Sequence, residues 1–170
     1  MAPVRVIHVI TRLDRGGSAR NTLLTALGHD RVRFEPLVVA GLPEPGSAQG
    51  GRDAVEDSRR CLEARGVPLH LIPTMTRSLS PSRDLRTLWR LIRLFRRERP
   101  AIVHTHTSKA GALGRVAAWI AGVPVVVHTP HGHVFYGHFG RVLSGFSLLV
   151  ERLLAVRTTR LIALTEAEPW

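Results

Sequence analysis

Six histidines fall within 35 residues of this sequence: His104, His106, His128, His131, His133 and His138. Imidazole is the commonest metal ligand and the side chain best matched to proton transfer near neutral pH. His104 and His106 stand two apart in a run that reads as a strand, so they share one face of it. His128 lies in the next such run. His131-Gly132-His133 follows on a glycine-bearing loop, where a histidine is poorly placed to be core. His131 thus reads as a site residue, with a satisfied structural role still open to it and more so to His133 and His138. His8, His29 and His70 lack such surroundings and read as structural or surface residues. Between Glu98 and Glu151 the chain has no aspartate or glutamate. Hydrolytic metal sites commonly use carboxylates as ligands, as partners of the ligands or as the general base. A carboxylate can still arrive from elsewhere in the fold, but no metal ligands are assigned. Acid–base and hydrogen-bonding work in this stretch falls to histidine, threonine, serine or backbone, and the expected ligand is anionic.

Two further segments could meet an anion. Gly16-Gly17 sits between a strand and a helix start, where paired glycines allow close backbone approach and the helix N-terminus favours negative charge. A plain tight turn is the alternative. The segment is neither a G-x-G-x-x-G fingerprint nor a Walker loop, which disfavours a nicotinamide dinucleotide and a P-loop nucleotide. Ser108 and Lys109 open a later helix and could hold a phosphate or sugar hydroxyls. A helix start with an exposed lysine reads equally well.

The elements that must position these residues alternate. Val4–Ile10, Phe34–Ala40, Val67–Ile72, Ala101–Thr105, Val123–Thr129 and Arg160–Thr165 read as strands. Helices are expected at Ser18–His29 (capped by Ser18), Asp53–Arg65 (stopped at Gly66), Ser80 to about Arg97, Ser108–Ala121 and Arg141–Val156, with loop at Gly41–Gly51. The apolar runs lack clean alternation, as in strands covered on both faces. The expected fold is α/β: a Rossmann-like, doubly wound parallel sheet of about six strands in the order 3-2-1-4-5-6. Ligands of such sheets bind at the carboxyl ends of the strands, around the switch between strands 1 and 4. RLDRGGS (12–18), HTHTSKAG (104–111) and HTPHGHVFYGHFG (128–140) all fall there. In the third helix Leu85, Leu88, Trp89, Ile92 and Phe95 are expected to face the core, with arginines on the other side.

The 170 residues suffice for one domain, 44% of them hydrophobic and 22% charged, as in a soluble globular fold. One cysteine, Cys61, excludes an intramolecular disulfide framework. The net charge is +11, and every basic residue except Lys109 is arginine. That surface attracts polyanions, phosphorylated substrates and anionic lipid. With 5% aromatics and no interleaved aromatic stretch, no specific nucleic-acid partner is expected. The apolar run Val116–Val127 is broken by Gly122 and Pro124 and is too short to span a bilayer. No signal segment is legible, which gives a cytoplasmic expectation. The helix Arg141–Val156 carries an apolar stripe between arginines. It fits a core-facing helix or one lying on an anionic membrane surface.

VIHVITRLDRGGSARN, HTHTSKAGALGRVAAWIAGVP, VVVHTPHGHVFYGHFG and RLIALTEAE together make the chain resemble the amino-terminal domain of family 4 glycosyltransferases of the GT-B type. It resembles the bacterial members that build cell-surface and capsular polysaccharides. The resemblance implies two Rossmann-like domains facing across a cleft, the first binding acceptor and the second the nucleotide sugar. It also implies retaining transfer with no cofactor and no required metal. His131 would be the active-site histidine near the transferred sugar. Gly16 and Gly17 would face the donor diphosphate, and His104, Thr107, Ser108, Lys109 and His133 would line the substrate side. The acceptor would be a lipid-linked glycan reached at the inner face of the membrane. The family's donor-binding domain has no counterpart in these residues. Residues 1–165 are therefore expected to form one half of a GT-B architecture, and 166–170 to begin the interdomain region. A truncated reading frame or a separately supplied donor domain would account for this. The alternatives are a non-catalytic remnant or binding module, and a sugar-nucleotide epimerase, which would need carboxylates for proton transfer.

Overall fold

A computed structural model describes residues 2–43, 51–131 and 150–164. Ten elements follow in chain order: β1 (Val4–Ile10), α1 (Gly17–Leu27), β2 (Phe34–Gly41), α2 (Gly51–Glu63), β3 (Leu69–Ile72), α3 (Pro81–Glu98), β4 (Ile102–His106), α4 (Ser108–Ala121), β5 (Val125–Thr129) and β6 (Arg160–Leu161). A helical stretch over 150–155 precedes β6. The strands form one sheet in the order β3-β2-β1-β4-β5-β6, with every pairing parallel. This is the expected Rossmann-like topology.

Two apolar layers explain the missing alternation in the strands. On one face Ile7, Val9, Val39, Val103 and Val126 pack with Leu91 and Phe95 of α3 and Ala110, Ala117 and Ala118 of α4. On the other, Ile10, Val38 and Ala40 pack with Ala19 and Ala26 of α1 and Val55 and Leu62 of α2. Burial on both sides removes any need for polar residues at alternate positions. Helix α4 lies unusually close to the sheet. A Cβ at Gly111 would come within 2.4 Å of the His128 ring, and one at Gly114 within 2.7 Å of Thr105 Cγ2.

Several local expectations are corrected. Helix α1 starts at Gly17 with Gly16 as its N-cap, so Ser18 does not cap it; the Ser18 carbonyl instead accepts from Thr22 Oγ1 at 2.8 Å. Strand β3 begins at Leu69 and β5 at Val125, two residues later than the apolar runs suggested. In α3 the buried residues are Thr87, Leu91, Ile92, Leu94 and Phe95, while Leu85 and Trp89 are each 58% exposed. The stripe is rotated, with Thr87 facing inward and its hydroxyl donating to Thr74 Oγ1 at 2.8 Å. Ser80 is the N-cap of α3 as expected, but no side-chain bond from it closes the first turn. Asp84 Oδ2, one residue beyond the N3 position of a capping box, accepts from the Ser80 amide at 3.2 Å. The Gly41–Gly51 loop and the Arg141–Val156 helix lie largely outside the described residues.

Candidate functional site

Strands β1, β4 and β5 end level with one another, since Ile10 pairs with His106 and His106 with Thr129. Alternation along β4 turns His104 and His106 to the α1 face of the sheet and Thr105 to the α4 face. His8 of β1 pairs in register with His104 and is fully buried beside both histidines. His106 Nδ1 lies 2.9 Å from His131 Nε2, and His106 Nε2 lies 3.3 Å from His8 Nδ1. His8 Nε2 is in turn 2.9 Å from His29 Nε2, beyond the end of α1. His104 stacks on His106 with ring centroids 4.1 Å apart and bonds Thr129 Oγ1 at 2.8 Å. His128 faces the other way, bonding Thr105 Oγ1 at 2.9 Å beneath α4.

Burial decides the charge of these rings. It pulls His104 down to about 4, with His131 and His29 adding repulsion. It pulls His128 down to about 3, with Arg115 as the next cause. His8 and His106 are held well below the ordinary imidazole range, first by burial and then by neighbouring histidines. At neutral pH the described cluster is a polar but uncharged floor.

Two residues above that floor have left-handed backbones, Thr107 at φ 65° and His131 at φ 62°. For residues with a Cβ such conformations cost on the order of 1–3 kcal/mol each and persist where the surroundings over-determine them. Thr107 is the N-cap of α4. Its amide donates to the Thr129 carbonyl at 3.2 Å, and its hydroxyl meets Thr11 Oγ1 at 2.9 Å. Thr11 Oγ1 also accepts from the Ala110 amide at 3.2 Å, tying the end of β1 to the first turn of α4.

The structure thus brings His104, His106, Thr107 and His131 together, and adds His8 and His29, which the sequence reading set aside as structural. A signal for His8 was available: with β1 beside β4, parity puts it level with His104 and on the same face. Ser108 opens α4 as expected. Lys109 is less available to a ligand than its type implied. Its Nζ contacts Asp84 Oδ1 at 2.6 Å and donates to the Ser78 carbonyl at 2.5 Å, leaving the side chain 12% exposed. Asp84 comes from α3, so a carboxylate does reach this region from elsewhere in the fold. Gly16 and Gly17 both lie at the carboxyl edge. The Gly16 amide donates to Asp14 Oδ1 at 2.9 Å, and a Cβ on Gly17 would meet nothing within 4 Å. That leaves room for close approach at the start of α1. His133 lies outside the described residues. Nitrogens of His8, His104 and His106 lie within 4.8 Å of one another, the one such grouping among the described residues. Both nitrogens of His8 and His106 are already engaged by other rings and no carboxylate joins them, so we assign no metal ligands here.

The sequence matches the glycosyl transferase 4-like domain over residues 6–168. The chain belongs to that family. This glycosyl transferase 4-like chain is 44% identical over 98 residues to the UDP-Gal:alpha-D-GlcNAc-diphosphoundecaprenol alpha-1,3-galactosyltransferase of Escherichia coli, a match covering 58% of this chain and 25% of that protein. It is 33% identical over 102 residues to the capsular polysaccharide biosynthesis glycosyltransferase CapM of Staphylococcus aureus, with the same coverage of 58% and 25%. The matched part therefore spans about a quarter of the length of these curated relatives. Among solved structures the fold is shared with Acinetobacter baumannii MurG, at TM-score 0.63 and 16% identity over 99% of this chain and 43% of that one. A UDP-N-acetylglucosamine 2-epimerase shares it too, at TM-score 0.62 and 19% identity over 97% and 41%. The fold is thus shared with an epimerase, while the sequence matches are to glycosyltransferases.

Proposed function

We propose that this chain is the acceptor-binding half of a retaining glycosyltransferase that moves a sugar from a nucleotide sugar to a lipid-linked glycan diphosphate. The observation that carries the reading is the meeting of His131 with His106 at the carboxyl edge, beside the left-handed Thr107, in a chain of this family. A polar, uncharged floor of hydrogen-bonding side chains suits hydroxyl-rich sugars. The start of α1 at Gly16-Gly17 offers amides and dipole to a diphosphate. A relative's action on a diphosphoundecaprenol-linked sugar supports a polyprenyl diphosphate acceptor, reached from the cytoplasmic face of the membrane. Among the described residues no helix is long and apolar enough to cross a membrane. His131 would act nearest the transferred sugar, with His104, Thr107 and Ser108 toward the acceptor.

The test is reconstitution. The 170 residues alone should fold without transferring sugar, because positioning of the donor and stabilisation of its leaving diphosphate need the opposite wall of a cleft. Combined with a donor-binding domain of a relative, they should support transfer from a UDP-sugar to a short polyprenyl diphosphate-linked N-acetylglucosamine, with chelator present. Transfer by the 170 residues alone, or a strict requirement for zinc or manganese, would contradict the proposal.

A further inference from the structure

We infer that His29, His8, His106 and His131 form one hydrogen-bonded chain of imidazoles in which every bond has the same donor direction, so that the proton position on His131 is tied to that on His29. Three ring-to-ring contacts link them in that order, at 2.9, 3.3 and 2.9 Å. His8 and His106 are the middle members, fully buried, and each uses both of its nitrogens on other imidazoles. A neutral imidazole has one N–H and one lone pair. A middle ring that donates through one nitrogen must therefore accept through the other, and the sense of donation propagates along the chain. Burial keeps the middle rings neutral. The groups acting electrostatically on His8, His29 and His106 are His104, His128, His131, one another and Arg31; no carboxylate is among them.

Two ordered states follow when all four rings are neutral. In one, His29 Nε2 donates and His131 accepts at Nε2, which puts the remaining proton of His131 on Nδ1. In the other every bond is reversed, His131 donates from Nε2, and its Nδ1 carries the lone pair. The second nitrogen of His131 thus switches between donor and acceptor in step with His29, which is only partly buried at the end of α1. His29, His8 and His106 are in this sense positioning residues for His131. The inference concerns the four rings alone, and it stands or falls apart from the glycosyltransferase reading.

Nitrogen NMR on the 170-residue chain with ¹⁵N-labelled histidine tests it. In the wild type, through-bond ¹⁵N–¹⁵N couplings should link His29 to His8, His8 to His106 and His106 to His131, with each middle ring singly protonated from pH about 8 down to about 6. His29→Asn and His29→Phe should each shift the His131 Nδ1 and Nε2 resonances toward a tautomer average, while His70→Asn, off the chain, should not. An intact amide spectrum certifies the fold of each variant. A missing His8–His106 coupling, opposed donor senses at one middle ring, or a His131 tautomer unmoved by both folded His29 variants would overturn the inference. The wild-type couplings decide the matter even if a variant does not fold.

Discussion

Arg115 shows how a single residue's chemistry depends on what the fold brings to it. Its side chain is fully buried in α4, with Nη2 2.6 Å from Glu151 Oε2 and Nε donating to the Gly111 carbonyl at 3.0 Å. Removing one partner of a buried pair strands the other charge, at about 3–5 kcal/mol when that charge is fully buried. Arg115 is fully buried and Glu151 is 23% exposed, so a stranded arginine costs more than a stranded glutamate. Glu151→Ala should therefore lower the urea midpoint more than Arg115→Met does, and equal midpoints would remove the ion pair from the account. The reach of Glu151 and Asp84 was not legible in the sequence. Each lies outside the acid-free stretch and arrives by tertiary packing. His8 was missed for a related reason: its partners are 98 and 21 residues away. His131 was legible because a glycine-bearing loop after a strand end marks it without any knowledge of contacts.

Among the elements, α4 decides how close the site's floor comes to its first turn. Gly111 and Gly114 let it sit on β4 and β5, and the ring of His128 fills the space a Cβ would take. Gly111→Ala should push helix and sheet apart and cost about 1–3 kcal/mol, as overpacking of a dense core does. A thermal or urea midpoint equal to wild type would show the helix to be more yielding than this. Element order and strand sequence could be read from the chain because buried parallel strands and their helices leave continuous apolar runs between turn residues. The face of α3 could not. Its apolar residues outnumber the positions the sheet can cover, and Thr87 takes a buried place by finding Thr74. The tight approach of α4 was invisible as well, since a glycine in a helix does not say what lies opposite.

For the molecule as a whole, buried neutral histidines set a lower limit to the pH range of stability. His104 falls from 6.5 to about 4 and His128 from 6.5 to about 3 on folding. The unfolded chain thus binds more protons below pH 6.5, and stability must drop as pH falls from there toward the folded values. Urea titrations should give a midpoint that is level above pH about 7 and declines steadily to pH about 4. A flat midpoint across that range would contradict the buried, neutral cluster. The net charge of +11 adds a second whole-molecule expectation. The 170 residues should pellet with anionic vesicles at low salt and be released at high salt, since each basic residue near the surface adds about 1 kcal/mol at most and is screened beyond roughly 10 Å. Recovery in the supernatant under both conditions would contradict an electrostatic attraction of this surface to anionic lipid. The central proposal is that the carboxyl edge carrying His131 is where transfer happens, and turnover of this chain combined with a relative's donor-binding domain tests it most directly. With His131→Ala and a circular dichroism spectrum equal to wild type, the account predicts a loss of about a hundredfold or more in sugar transferred from the UDP-sugar to the polyprenyl diphosphate acceptor. Turnover within a few-fold of wild type would contradict it.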